Sequence, residues 1–86
     1  MGAVAATETH QAIESILRIE RARLIAGLAR MVRDVGLAEE LAQDAVVTAL
    51  SAWPKTGIPN NPGAWLMVVA KRRAIDEFLH LRHPVR

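Results

Sequence analysis

NPGAWLMVVAKRRAIDEFLHLR, Asn61 to Arg82 of an 86-residue chain, reads as one helix whose two faces suit different surroundings. At about 100° per residue, Met67, Ala70, Ala74, Phe78 and Leu81 gather on one side, a stripe that fits a core. Trp65, Val69, Arg72, Arg73, Asp76 and His80 gather on the other. A tryptophan beside two arginines on the wetter face fills a core badly and meets a nucleic acid well. Guanidinium groups bind phosphate, and an indole stacks on bases. Asn61 caps the helix and Pro62 takes its first position, where a missing amide hydrogen costs nothing.

Working outward, the stretch WPKTGIPNNPG before it holds three prolines, two glycines and the pair Asn60 and Asn61. Pro54 is expected to end the preceding helix, and such density of turn residues predicts a long irregular connection up to Pro62. Stiff backbone with free amide side chains suits either a pocket for an unstacked base or a plain connector. Upstream, a helix is predicted over Leu37 to Ala52. Its core stripe is Leu41, Ala45, Ala49 and Trp53, with Ala38, Ala42 and Ala52 alongside, small residues that let helices approach closely. Its other face carries Glu40, Gln43, Asp44, Val47 and Ser51. An apolar Val47 among acids on the wet side suggests a partner with arginines and an apolar patch.

The first helix is predicted from a cap at Thr7 or Thr9 to about Val35, with Gly36 as its stop. Residues 1–8 read as a flexible lead-in, residues 9–83 as a single helical domain, and residues 84–86 as the start of a linker. Ile13, Ile16, Leu17, Leu24, Leu28, Met31, Val32 and Val35 follow the spacing of three and four that makes an apolar face. Arg18, Arg21, Arg23, Arg30 and Arg33 mix with Glu14 and Glu20 on a solvated remainder. Gly27 is read as room for a neighbouring backbone.

Composition sets the outer bounds. The chain supports one small domain, and three aromatic residues in an otherwise aliphatic apolar half point to helices rather than sheets. The expected fold is all-α, a compact three- to four-helix bundle. Absence of cysteine excludes disulfides and thiolate metal sites. His80 and His83 stand one turn apart without acids in matching register, so no metal or other cofactor is expected. No phosphate loop, HExxH or nucleophile–base arrangement is present, which argues against an enzyme. No apolar run nears the roughly 20 residues of a membrane span, and a cytoplasmic location is expected. Charge is divided: Leu37 to Pro54 holds three acids and no Lys or Arg, whereas Lys55 to Arg86 holds six bases against Asp76 and Glu77.

GLAEELAQDAVVTALSAW followed by NPGAWLMVVAKRRAIDEF resembles region two of bacterial sigma factors, specifically the extracytoplasmic-function (ECF) group, over about Ile13 to Arg82. The loop form from Gly57 to Leu66 is similar to that of ECF members with a long C-terminal extension. The resemblance implies that Glu40, Gln43, Asp44 and Val47 dock on the β′ clamp helices of core RNA polymerase. It further implies that Asn60, Asn61, Trp65, Lys71, Arg72, Arg73 and Asp76 engage the single-stranded non-template minus-ten element of promoter DNA. An anti-sigma factor or the protein's own C-terminal extension is a further partner it admits. Arg72 replaces the Asn frequent in the group, and Glu77 and Leu79 replace frequent arginines, which shifts Arg72 toward phosphate and thins the basic end. A complete sigma factor also needs a region-four helix-turn-helix, so this chain is expected to be one domain of a longer protein. Two other readings stay open: a helical adaptor that binds protein alone, and a self-standing duplex-binding helix-turn-helix protein.

Overall fold

The computed structural model describes residues 2–82 and, within them, the side chains of residues 8–77. Among the described residues three helices, α1 (Gly2–Val32), α2 (Val35–Thr56) and α3 (Pro62–Arg82), pack pairwise around one core, as the all-α expectation required. Phe78, His80, Leu81 and His83, assigned above to a core stripe, a wet face and a half metal site, lie outside the described side chains. So do residues 84–86.

Helix boundaries differ from the sequence expectation in ways that capping chemistry explains. The backbone is helical from Gly2, ahead of both Thr7 and Thr9, where Ala3, Ala5 and Ala6 supply the strongest helix formers. Helix α1 then stops at Val32 rather than Val35. Arg33 takes a left-handed φ of 57° while its N–H still donates to the Ala29 carbonyl at 2.8 Å. Gly36 is therefore not the stop. Asp34, with extended φ −156° and ψ 109°, caps the next helix by accepting from the Leu37 N–H at 3.0 Å, which places Gly36 inside the first turn of α2.

Pro54 does not end α2 either; the helix runs through it to Thr56. Only the Leu50 carbonyl loses its expected donor, because proline has no N–H. The turn beyond is closed by the Gly57 N–H on the Trp53 carbonyl at 2.8 Å and the Thr56 hydroxyl on the Ala52 carbonyl at 3.1 Å. The connection shrinks to residues 57–61, an ordinary length. Gly57, at φ 93° and ψ 160°, lies where side chains are strained, and a Cβ there would meet nothing within 4 Å. Gly57→Ala is thus expected to lower stability by about 1–3 kcal/mol through backbone strain alone. A urea midpoint equal to wild type would contradict this.

The predicted α2 stripe is the centre of the core. Ala38, Leu41, Ala42, Ala45, Ala49 and Trp53 are buried, and four alanines let α1 and α3 close onto α2. Helix α1 contributes Ile13, Leu17, Leu24 and Leu28 as predicted, whereas Met31 and Val35, expected inside, are 45% and 62% exposed. Met31 borders an open cleft between α1 and α3, and Val35 begins α2 at the exposed corner. Helix α3 contributes Ala70 and, unpredicted, Leu66, fully buried one position from Trp65; Met67 and Ala74 are half-buried. Each large aliphatic side chain taken from water this way contributes roughly 1.5–3 kcal/mol. Gly27 makes room for a side chain and not a backbone: a Cβ there would lie 2.9 Å from Met67 Cε.

Candidate functional site: an acidic helix face and a splayed basic run

Helix α2 turns one face outward over most of its length, because its alanine stripe is consumed by the other two helices. Glu40, Gln43 and Val47 are exposed on that face and Asp44 is half-buried. Their spacing of three, four and seven places them on successive turns. Val47 is 53% exposed, an apolar side chain in water at the end of an acidic row.

Glu40, Gln43 and Asp44 also form one wall of an open groove of about 680 Å³, whose other lining residues include Arg21 from α1 and Arg73 and Glu77 from α3. Asp44 spans the groove: its Oδ2 lies 3.2 Å from Arg73 Nε, with both side chains about half exposed. A pair this wet contributes little to stability, about 0–1 kcal/mol. It does fix where both side chains point. On its far side a smaller hollow of about 180 Å³ is lined by Asp44, Thr48, Val69, Arg72, Arg73 and Asp76.

The three consecutive bases of α3 therefore do not share one surface. Lys71 borders a separate, apolar cleft of about 420 Å³ with Met31, Val32, Ala74 and Ile75; Arg72 and Arg73 both line the small hollow, and Arg73 also pairs with Asp44 of α2. Helical rotation explains the splay, since each residue turns about 100° from the last. Sequence grouping had placed Trp65 with Arg72 and Asp76. Arg72 and Asp76 do share a hollow, while Trp65 is half-buried and leans on Trp53, ring centroids 5.3 Å apart at an interplanar angle of 64°. The outward side of α3 carries Val68 and Ile75, 55% and 58% exposed, which the sequence reading did not select.

Asn60 and Asn61 are exposed in the connector. Asn61 caps α3 as predicted: its Oδ1 accepts from the Ala64 N–H at 3.1 Å, and its carbonyl accepts from Trp65 N–H at 3.1 Å. The Asn61 amide nitrogen remains free for other duties among these bonds, as does the whole Asn60 side chain.

One further side chain was missed. Glu20, set among solvated charges by sequence, has a side chain only 20% exposed, and it sits on the first turn of α3: a Cβ on Gly63 would lie 2.8 Å from Glu20 Oε1. The ion pair of Glu20 Oε2 with the exposed Arg23 Nη1 is long, 3.5 Å. Among the described residues no cluster of three or more His, Cys, Asp or Glu side chains has the geometry to hold a metal, and no helix is long and apolar enough to cross a membrane.

Comparison with known proteins agrees with this architecture. The family model for sigma-70 region 2 matches residues 17–83. An uncharacterized protein of Rhizobium meliloti (strain 1021) is 40% identical over 65 residues, 76% of this chain but only 15% of that protein's length. No solved structure matches. Sigma-70 region 2 is not an enzyme family. With all three helices inside or overlapping the matched span, this chain belongs to the sigma-70 family as a region 2 domain.

Proposed function

We propose that the domain is region 2 of an RNA polymerase sigma factor of the ECF type, which docks on core polymerase through α2 and holds the melted minus-ten element through the connector and α3. The observation that carries it is the outward row of Glu40, Gln43, Asp44 and Val47, three polar acceptors ending in an apolar contact. That pattern suits the basic and apolar β′ clamp helices, from which the carboxylates accept charge-assisted hydrogen bonds while Val47 adds a dry spot.

On the DNA side, Asn60 and the free amide of Asn61 offer donors and acceptors to an unstacked base, with Trp65 one turn along α3 as an apolar neighbour. Lys71 and Arg72 contribute phosphate contacts on adjacent sides of the helix. Opening a promoter costs stacking and pairing. A surface that binds the separated strand lowers the free energy of the open state. Arg73 acts here mainly through Asp44, and Asp76 lines the same hollow as Arg72.

The test is a titration of the domain against the isolated clamp helices. Glu40→Arg is expected to weaken binding about tenfold, the size of one reversed contact in a charged interface. Glu40 is the better position than Asp44, because it is exposed and makes no ion pair among the described residues, so its reversal leaves the domain's own contacts alone. Equal affinity of the variant would remove the docking assignment. A helical adaptor that binds protein alone would instead keep all its function when Trp65 and Arg72 are both replaced by alanine.

A further inference from the structure

Helix α3 begins without an acid of its own in the first turn, although the exposed N–H groups of a helix start attract negative charge. Pro62 and Gly63 supply no polar side chain there, and Asn61 supplies only a neutral cap. Glu20 of α1 lies against that turn, its carboxylate packed so close to Gly63 that a Cβ would stand 2.8 Å from Oε1 and 3.5 Å from Cδ. The same virtual Cβ would be 3.8 Å from Asn61 Oδ1, so carboxylate and cap share one corner. Among the described residues Glu20 is the less exposed of the two ion-paired acids, 20% against 47% for Asp44, and a long contact to Arg23 holds its other oxygen. Its place is set by α3 more than by that arginine.

From this we propose that Glu20 is a specificity-determining, positioning residue for the DNA-binding connector: it supplies in trans the negative charge that the start of α3 lacks and thereby keeps that helix end closed to phosphate. Two effects follow from one carboxylate. The corner bearing Asn60 and Asn61 is held against α1, so the amides keep a fixed aim at an unstacked base. At the helix start Pro62 has no N–H and those of Ala64 and Trp65 are taken by Asn61, so the Gly63 N–H, which would otherwise attract a phosphate, faces the protein's own anion. The strand is then positioned by Lys71 and Arg72 alone, and the corner reads the base. This inference rests on the proposed single-strand binding.

Glu20→Gln keeps the shape and removes the charge. Binding of short single-stranded oligonucleotides that differ at one base, measured over a salt series, is the experiment. The variant is expected to lose about fivefold in discrimination between bases, the scale of one carboxylate at a helix start. It is also expected to bind all sequences more tightly, with a salt slope steeper by about 0.7, one more phosphate on a single strand. A purely structural role would not tighten binding, and Glu20→Asp, which restores charge with shorter reach, is expected to recover the wild-type slope. Wild-type discrimination and slope retained in Glu20→Gln would overturn the inference alone. A wild-type chain that shows no base discrimination would overturn both it and the strand-binding reading.

Discussion

Trp53→Ala is expected to lower folding stability by about 3–5 kcal/mol, the range for removing a buried aromatic side chain. A domain of this size has a total of roughly 5–10 kcal/mol, so the variant loses a large share of its stability. The cause is position. Trp53 is 1% exposed and is the largest fully buried side chain, at the end of the alanine stripe where α2, the connector and α3 meet. No smaller neighbour can relax into the space, because Ala45 and Ala49 lie above it and Trp65 leans on it edge to face. Its indole nitrogen finds no hydrogen-bond partner among the described residues. An unpaired buried donor is itself unfavourable by about 1–3 kcal/mol, so Trp53→Phe, which removes the donor and keeps a ring, is expected to cost far less than alanine. Urea unfolding followed by far-UV circular dichroism decides it. Equal losses for the two variants would contradict this account, because phenylalanine leaves the smaller cavity and strands no donor.

Trp65→Ala is expected to weaken binding of a single-stranded minus-ten oligonucleotide by about 1–3 kcal/mol, the worth of one base stacked on an aromatic ring. Its effect on the salt slope is expected to be nil, since an indole releases no counterions. Removing Lys71 and Arg72 together should do the reverse, flattening the slope by about 0.7 for each lost phosphate contact. Trp65 is half-buried against Trp53, so part of the ring serves the fold. Trp65→Phe separates the two duties: it keeps the contact with Trp53 and a smaller stacking surface. An alanine variant that is stably folded and binds as tightly as wild type would sink the stacking role.

Much of this geometry was legible in the chain. The cap at Asn61, the proline behind it and the alanine stripe ending in Trp53 follow from local chemistry that no distant contact overrides. Helix ends were harder. Gly36 and Asp34 compete to define the first corner, and the carboxylate wins because its bond to the Leu37 N–H satisfies a free donor, while Arg33 takes up the left-handed turn. Pro54 was misjudged because one lost backbone bond is small beside the burial of Trp53 on the preceding residue. The site was legible in composition and not in arrangement. Periodicity placed Trp65 with Arg72 and Asp76 on one helix considered alone. Only packing shows that Trp65 turns to Trp53, that Arg73 crosses to Asp44, and that Glu20, more than forty positions upstream in the chain, lies against the start of α3. Opposite charge at positions 44 and 73 was the one available signal for the cross-helix pair, and sequence separation hid it.

The contact between Asp44 and Arg73 has a consequence for how substitutions can accumulate in such a domain. A change of sign at either position sets two like charges facing each other across the groove unless its mate changes too, a penalty of up to about 1 kcal/mol at this exposure that favours the two changing together. Exchanging them, Asp44→Arg with Arg73→Asp, would restore attraction across the seam while inverting the outward charge on each helix. A double exchange that folds normally yet no longer recruits polymerase would separate what these two side chains do for the scaffold from what they do for its partners.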